Sequence, residues 1–228
     1  MSEKRLGRFG VGATVLVAAA FIIAVAGAVS ALDRWWADRR VAVATRSLAA
    51  GDAPAAARVL LPIVARRPTD AVSHYYLGLA YIRSGLPAAA IRHLAEAERL
   101  EPRDARVRSA LGQAYRSVGT PDRALREFLE AVALDPDDPS YRVEAGNVLL
   151  DDGRVDEALV QLREAVRLHP MAADARVLLG LALCRAGDDT GMAREYRAAE
   201  RIAAGQTLGE LAHLLSEAGP PACAAGHH

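Results

Sequence analysis

The chain has 228 residues, 52% of them hydrophobic, with 28 Lys plus Arg balanced by 28 Asp plus Glu. Nucleic-acid phosphates reward a clustered excess of positive charge, so a formal net charge of zero argues against a nucleic-acid partner. The two cysteines, Cys184 and Cys223, form neither a CxxC nor a Cys/His pattern, which indicates neither a zinc site nor a disulfide-stapled fold.

Residues 1–8 form a basic amino-terminal tail carrying Lys4, Arg5 and Arg8. From Phe9 to Leu32 no charge occurs, and the run is rich in Val, Ala, Ile and Leu. As a helix it extends about 36 Å, enough to cross a bilayer core. Residues 9–32 are therefore expected to be a transmembrane anchor, with Trp35 and Trp36 in an interfacial linker at 33–36. The competing reading is a cleaved signal peptide ending near Ala26-Gly27-Ala28. The uncharged run exceeds the roughly 7 to 15 residues of a secretory apolar region, which favours an uncleaved anchor. Basic residues on the two flanks nearly balance; a short basic tail resists translocation, so the downstream domain is expected to be extracytoplasmic.

Beyond the anchor the sequence repeats. Gly51, Gly85, Gly119, Gly153 and Gly187 recur every 34 residues, and Pro68, Pro102, Pro136 and Pro170 keep the same step. Within residues 71–102, Leu77, Gly78 and Tyr81 make one apolar stripe; Ala90, Leu94 and Ala97 make a second after Gly85. That is a helix, a turn and a helix. Small residues at Ala44, Gly78, Gly112, Gly146 and Gly180 thin the first helices, and Ala56, Ala90, Ala124 and Ala158 thin the second. Leu60, Leu94, Phe128, Leu162 and Tyr196 supply the bulk between them. Asp70, Asp104 and Asp138 stand where each new first helix needs a cap.

These columns resemble the tetratricopeptide repeat family, in a membrane-anchored form of bacterial type. The resemblance implies an all-α fold, a right-handed superhelix of about five units at 37–70, 71–104, 105–138, 139–172 and 173–206. End units depart from the pattern. Pro62 is expected to kink or shorten the second helix of the first unit, and Met192 and Ala204 are expected to shift that of the fifth. Leu208, Leu211, Leu214 and Leu215 suggest a capping helix at 207–219, followed by a disordered tail at 220–228.

What the resemblance implies for function is a non-catalytic scaffold that receives a peptide or protein partner on the concave surface lined by first helices. Residues on the face opposite the core stripe are Tyr75, Leu79, Ile82 and Arg83 in the second unit, Ser109, Gln113 and Arg116 in the third, and Val143, Asn147, Leu150 and Asp151 in the fourth. The bland alternative is that Tyr75, Leu79 and Ile82 pack between repeats. A further column, Arg40, His74, Arg108, Arg142 and Arg176, is expected either to lay its stems on neighbouring helices with heads near carboxylates, or to form an anion-binding strip. The lysine, asparagine and arginine set by which some family members clamp a carboxylate is missing.

No Ser/His/Asp, Cys/His or paired-carboxylate arrangement converges, so no catalytic residues, metal ligands or cofactor are expected. Residues 33–127 hold 16 Arg against 10 acids, and residues 128–217 hold 9 Arg against 17 acids. Such asymmetry fits either solvated faces of no consequence or a basic half near anionic lipid and an acidic half facing a partner. Taken together, the expectation is a single-pass protein of a bacterial inner membrane that recruits a protein partner. A homo-oligomer joined head to tail and a secreted or periplasmic binding protein are the alternatives.

Overall fold

A computed structural model describes residues 6–205, which form ten α-helices. They are α1 (Leu6–Ala49), α2 (Ala53–Arg66), α3 (Ala71–Arg83), α4 (Pro87–Leu100), α5 (Ala105–Ser117), α6 (Pro121–Leu134), α7 (Pro139–Asp151), α8 (Val155–Leu168), α9 (Ala173–Arg185) and α10 (Asp189–Gly205). The capping helix expected at 207–219 and the tail at 220–228 lie outside the described residues.

The 34-residue step of the sequence reappears as a step of helix boundaries. Second helices begin at residues 53, 87, 121, 155 and 189, and complete first helices at 71, 105, 139 and 173. Each hairpin turns at its glycine; Gly85, at φ 72°, ends α3 in the left-handed region that a side chain enters only at a cost. The first helices α3, α5 and α7 start at an aspartate, whereas α9 starts after Ala172 with no side-chain cap. The Asp104 carboxylate accepts a hydrogen bond from the Arg106 amide at 2.9 Å, and Asp138 does the same for Ser140 at 2.9 Å. Asp70 accepts a longer bond from the Ser73 amide, at 3.4 Å.

The chain divides into two compact units, residues 1–68 and 69–228. In the first, α1 packs against α2, burying Ala37, Ala44 and Leu48 against a stripe that includes Ala56, Leu60 and Ile63. In the second, four hairpins follow one another: α3 with α4, α5 with α6, α7 with α8 and α9 with α10. Each second helix also packs on the next first helix, which is the stacking of a helical solenoid.

Inside each hairpin a glycine accepts a bulky partner. A Cβ built on Gly112 would stand 2.8 Å from the Phe128 ring, on Gly146 2.6 Å from Leu162, and on Gly180 2.7 Å from Tyr196. No real Cβ tolerates such distances, so the small column and the bulky column are two halves of one contact.

Three expectations about the ends are corrected. Residues 33–36 are not a linker but continuous α1, since no Gly or Pro occurs between Gly27 and Gly51 to interrupt it. Pro62 does not shorten α2, which keeps the 14 residues of α4, α6 and α8; its ring lies on the exposed side. Met192 does not displace α10, which begins in phase at Asp189 and places Tyr196 against Gly180. With Ala204 in place of proline, α10 continues to Gly205, the last described residue.

Candidate peptide-binding surface

Three successive first helices, α3, α5 and α7, carry the residues expected to receive a ligand, and α9 continues their series. One row contains Leu79, Gln113, Asn147 and Leu181, all half-buried. Among the described residues the side-chain amides of Gln113 and Asn147 have no hydrogen-bond partner, and neither is sealed from solvent. Two unspent amides between two leucines can pair with a peptide backbone while the leucines take its side chains.

Other expected positions divide differently. Ser109 is 8% exposed and Leu150 1% exposed, so neither offers its side chain to a ligand. Leu150 joins a core cluster with Leu179 and Leu183 of α9, because α7 and α9 are in contact and cover it. Tyr75, Leu79 and Ile82 are half-buried, each with one side against a cluster that includes Val107, Ala110 and Leu111 of α5. Val143 is half-buried, and Arg83 and Asp151 are exposed. Arg116 forms an ion pair with Glu144 at 3.0 Å, linking α5 to α7. Glu144 was invisible as a site residue in the sequence because its column otherwise holds Tyr76, Ala110 and Leu178, all apolar or nearly so.

Behind this face runs a ladder within the hairpins. Four members of the basic column, His74, Arg108, Arg142 and Arg176, meet the residue 19 positions later on the second helix, whereas Arg40 lies over the Trp36 ring at 5.0 Å. Arg108 donates to Glu127 at 3.0 Å, Arg142 to Gln161 at 3.3 Å, and Arg176 to Glu195 at 2.6 Å. Arg108 also pairs with Glu98 at 2.6 Å. In the second hairpin the rung is His74 with His93, their Nδ1 atoms 3.2 Å apart. Burial, then the proximity of His74 and Arg92, hold the His93 imidazole below its usual pKa. The heads of Arg108 and Arg176 thus reach carboxylates inside the hairpins and that of Arg142 reaches an amide oxygen, the arrangement in which stems cover helices and heads find nearby partners.

A separate open cleft of about 700 Å³ is lined by Arg103, Asp104, Arg106, Leu134, Asp135 and Tyr141. Arg106 donates to Asp104 at 2.7 and 3.0 Å and lies 5.7 Å from the centre of the Tyr75 ring. The Arg106 hydrogen bond holds the Asp104 carboxyl below the ordinary carboxylate range. Burial, followed by Asp138 and Asp135, pushes the Tyr141 phenol up to about 12. These charges satisfy one another and the α5 cap, so the cleft is a consequence of the joint between repeats. Among the described residues no group of three or more His, Cys, Asp or Glu could hold a metal ion. Cys184, 8% exposed on α9, is disulfide-bonded; Cys223 lies outside the described residues.

A family model described as tetratricopeptide repeat matches residues 44–97, 77–139 and 143–207. The chain belongs to the tetratricopeptide repeat family. Solved structures agree on the fold. MamA from Desulfovibrio magneticus RS-1 superposes with a TM-score of 0.66 at 20% identity, covering 75% of this chain and 96% of its own. YrrB, titled a TPR protein with an unusual peptide-binding site, gives 0.59 at 21% identity, covering 76% and 90%. A thermophilic TPR protein of Thermus thermophilus gives 0.65 at 20% identity, covering 79% and 97%. No curated protein matches the chain. Tetratricopeptide hairpins in this order build a protein-interaction scaffold.

Proposed function

We propose that this tetratricopeptide protein is a non-catalytic, membrane-anchored scaffold that holds an extended segment of a partner protein along the row Leu79, Gln113, Asn147 and Leu181. The observation that carries the reading is the pair of accessible, unpartnered amides at the same position of successive first helices. An amide both donates and accepts, so two of them in register can match a peptide backbone without demanding a particular sequence. Arg116 serves as a wall residue through its ion pair with Glu144.

Anchoring is supported by α1, which is long and apolar enough to cross a membrane, with Phe21, Ile22, Ile23 and Leu32 each more than half exposed. A disulfide at Cys184 supports an oxidising, extracytoplasmic location for the repeats. Solvent-exposed Val160, on α8, supplies the contrast needed for a test. A photocrosslinking amino acid at position 113 or 147 of the full chain, activated in intact cells, should capture a protein that the same probe at position 160 does not. Equal capture from all three positions would remove the row as the binding surface. Capture of the chain by itself from 113 and 147 would convert the reading to a self-associating one.

A further inference from the structure

The base of the α1/α2 hairpin presents cations and tryptophans that the scaffold reading does not use. Because α2 runs antiparallel to α1 after the turn at Gly51, its last residues return to the level of α1 where the apolar run ends. Arg66 there pairs with Asp33 through one nitrogen, at 3.4 Å, and stays 65% exposed along its side chain. Trp36 is flanked by two guanidinium groups, Arg40 at 5.0 Å and Arg66 at 5.2 Å from its ring centre; Arg39 lies 5.1 Å from that of Trp35. Counting residues 33–40 with 66 and 67, five arginines face two aspartates.

From this collar a groove of about 700 Å³ descends along the apolar run, lined by Phe21, Ile22, Val25 and Val29 and ending at Asp33 and Arg66. A cavity that is hydrocarbon at one end and cationic at the other fits an amphiphile with an anionic head. The placement agrees, since residues 33–36 span about 6 Å of helix just past the apolar run, the depth of a lipid headgroup layer. The continuity of α1 matters here: a flexible linker would let the arginines drift, whereas an unbroken helix holds them at one height above the hydrocarbon.

We propose that the α1/α2 base is a seat for an anionic phospholipid, its phosphate held by Arg39 and Arg66 over the tryptophans and one acyl chain lying along Phe21, Val25 and Val29. Tryptophan faces strengthen a cation's hold by cation–π attraction, and a guanidinium with donors to spare recognises phosphate. The seat fixes the height and tilt at which the first hairpin leaves the bilayer. This inference rests on the anchored reading.

Trp35 and Trp36 are the only tryptophans of the chain, so intrinsic fluorescence reports the collar directly. The full chain is reconstituted in phosphatidylcholine vesicles holding the same minor fraction of brominated phosphatidylglycerol or brominated phosphatidylcholine. Quenching should be roughly fivefold stronger with the anionic lipid, the factor that one arginine near an anionic surface supplies. The R39Q/R66Q variant changes two exposed residues and should lose that preference while remaining with the vesicles on flotation. Equal quenching by the two lipids in the unaltered chain, with flotation intact, would overturn the seat and leave the anchor standing. A chain that does not float with vesicles after an alkaline wash would overturn both.

Discussion

The second and third hairpins are built on one template and differ in the pair that joins their helices. Both turn at a glycine, both are opened by an aspartate cap, and both close a glycine against a fully buried bulky side chain. At the same two positions, however, the third places Arg108 against Glu127 and the second places His74 against His93. The template therefore determines which positions touch, and leaves free what chemistry they exchange. One rung holds a charge pair, and the other sets two imidazoles against each other, of which burial holds His93 below its usual pKa.

The largest expected effect comes from breaking the charged rung. Arg108→Leu leaves Glu98 and Glu127 near one another without their shared cation, and should cost about 2–3 kcal/mol in urea unfolding of the detergent-solubilised chain. A loss below about 0.5 kcal/mol would mean that the pair is solvent-screened and idle. Next, Gly112→Ala tests the steric half of the template. A new Cβ at 2.8 Å from a rigid, buried ring should cost about 1–2 kcal/mol, although alanine is the better helix former. Gly119→Ala separates packing from backbone geometry, because nothing stands within 4 Å of its Cβ and only φ 73° opposes the change. About 1 kcal/mol is expected there.

The smallest effect is the one that distinguishes the two rungs. The folded-state pKa of His93 lies below its ordinary value of 6.5, so the folded chain binds fewer protons than the unfolded one as the pH falls from neutral through 6.5. Stability should accordingly drop as the solution is acidified from pH about 7.5 through 6.5 and below, and recover on return. Replacing the rung by H74R/H93E, the chemistry of the third hairpin, should flatten the melting temperature across that window. Undiminished acid sensitivity in that variant would place its origin elsewhere.

Much of this was legible in the residues before any coordinates. Glycines at a fixed step announce turns because few other residues adopt a left-handed backbone, and aspartates before helical stripes announce caps because a carboxylate satisfies free amides. The paired columns Gly112 and Phe128, small opposite large, were likewise readable as one contact. The site was less legible. Spacing put Leu150 and Gln113 on a common helix face, but Leu150 is covered by α9 whereas Gln113 keeps an accessible amide. Helical periodicity describes a single helix and is blind to how far the next one encroaches.

By itself the sequence settled the period, the hairpin, the caps and the apolar run, since each follows from local backbone preference or from the length of hydrocarbon a helix presents. Only the tertiary structure decided that Arg108, Arg142 and Arg176 turn inward to partners 19 residues away, and that Arg66 returns to Trp36 and Asp33. Those outcomes depend on which side chains meet across space, and pairwise contact between distant residues is the one thing that a local pattern does not contain.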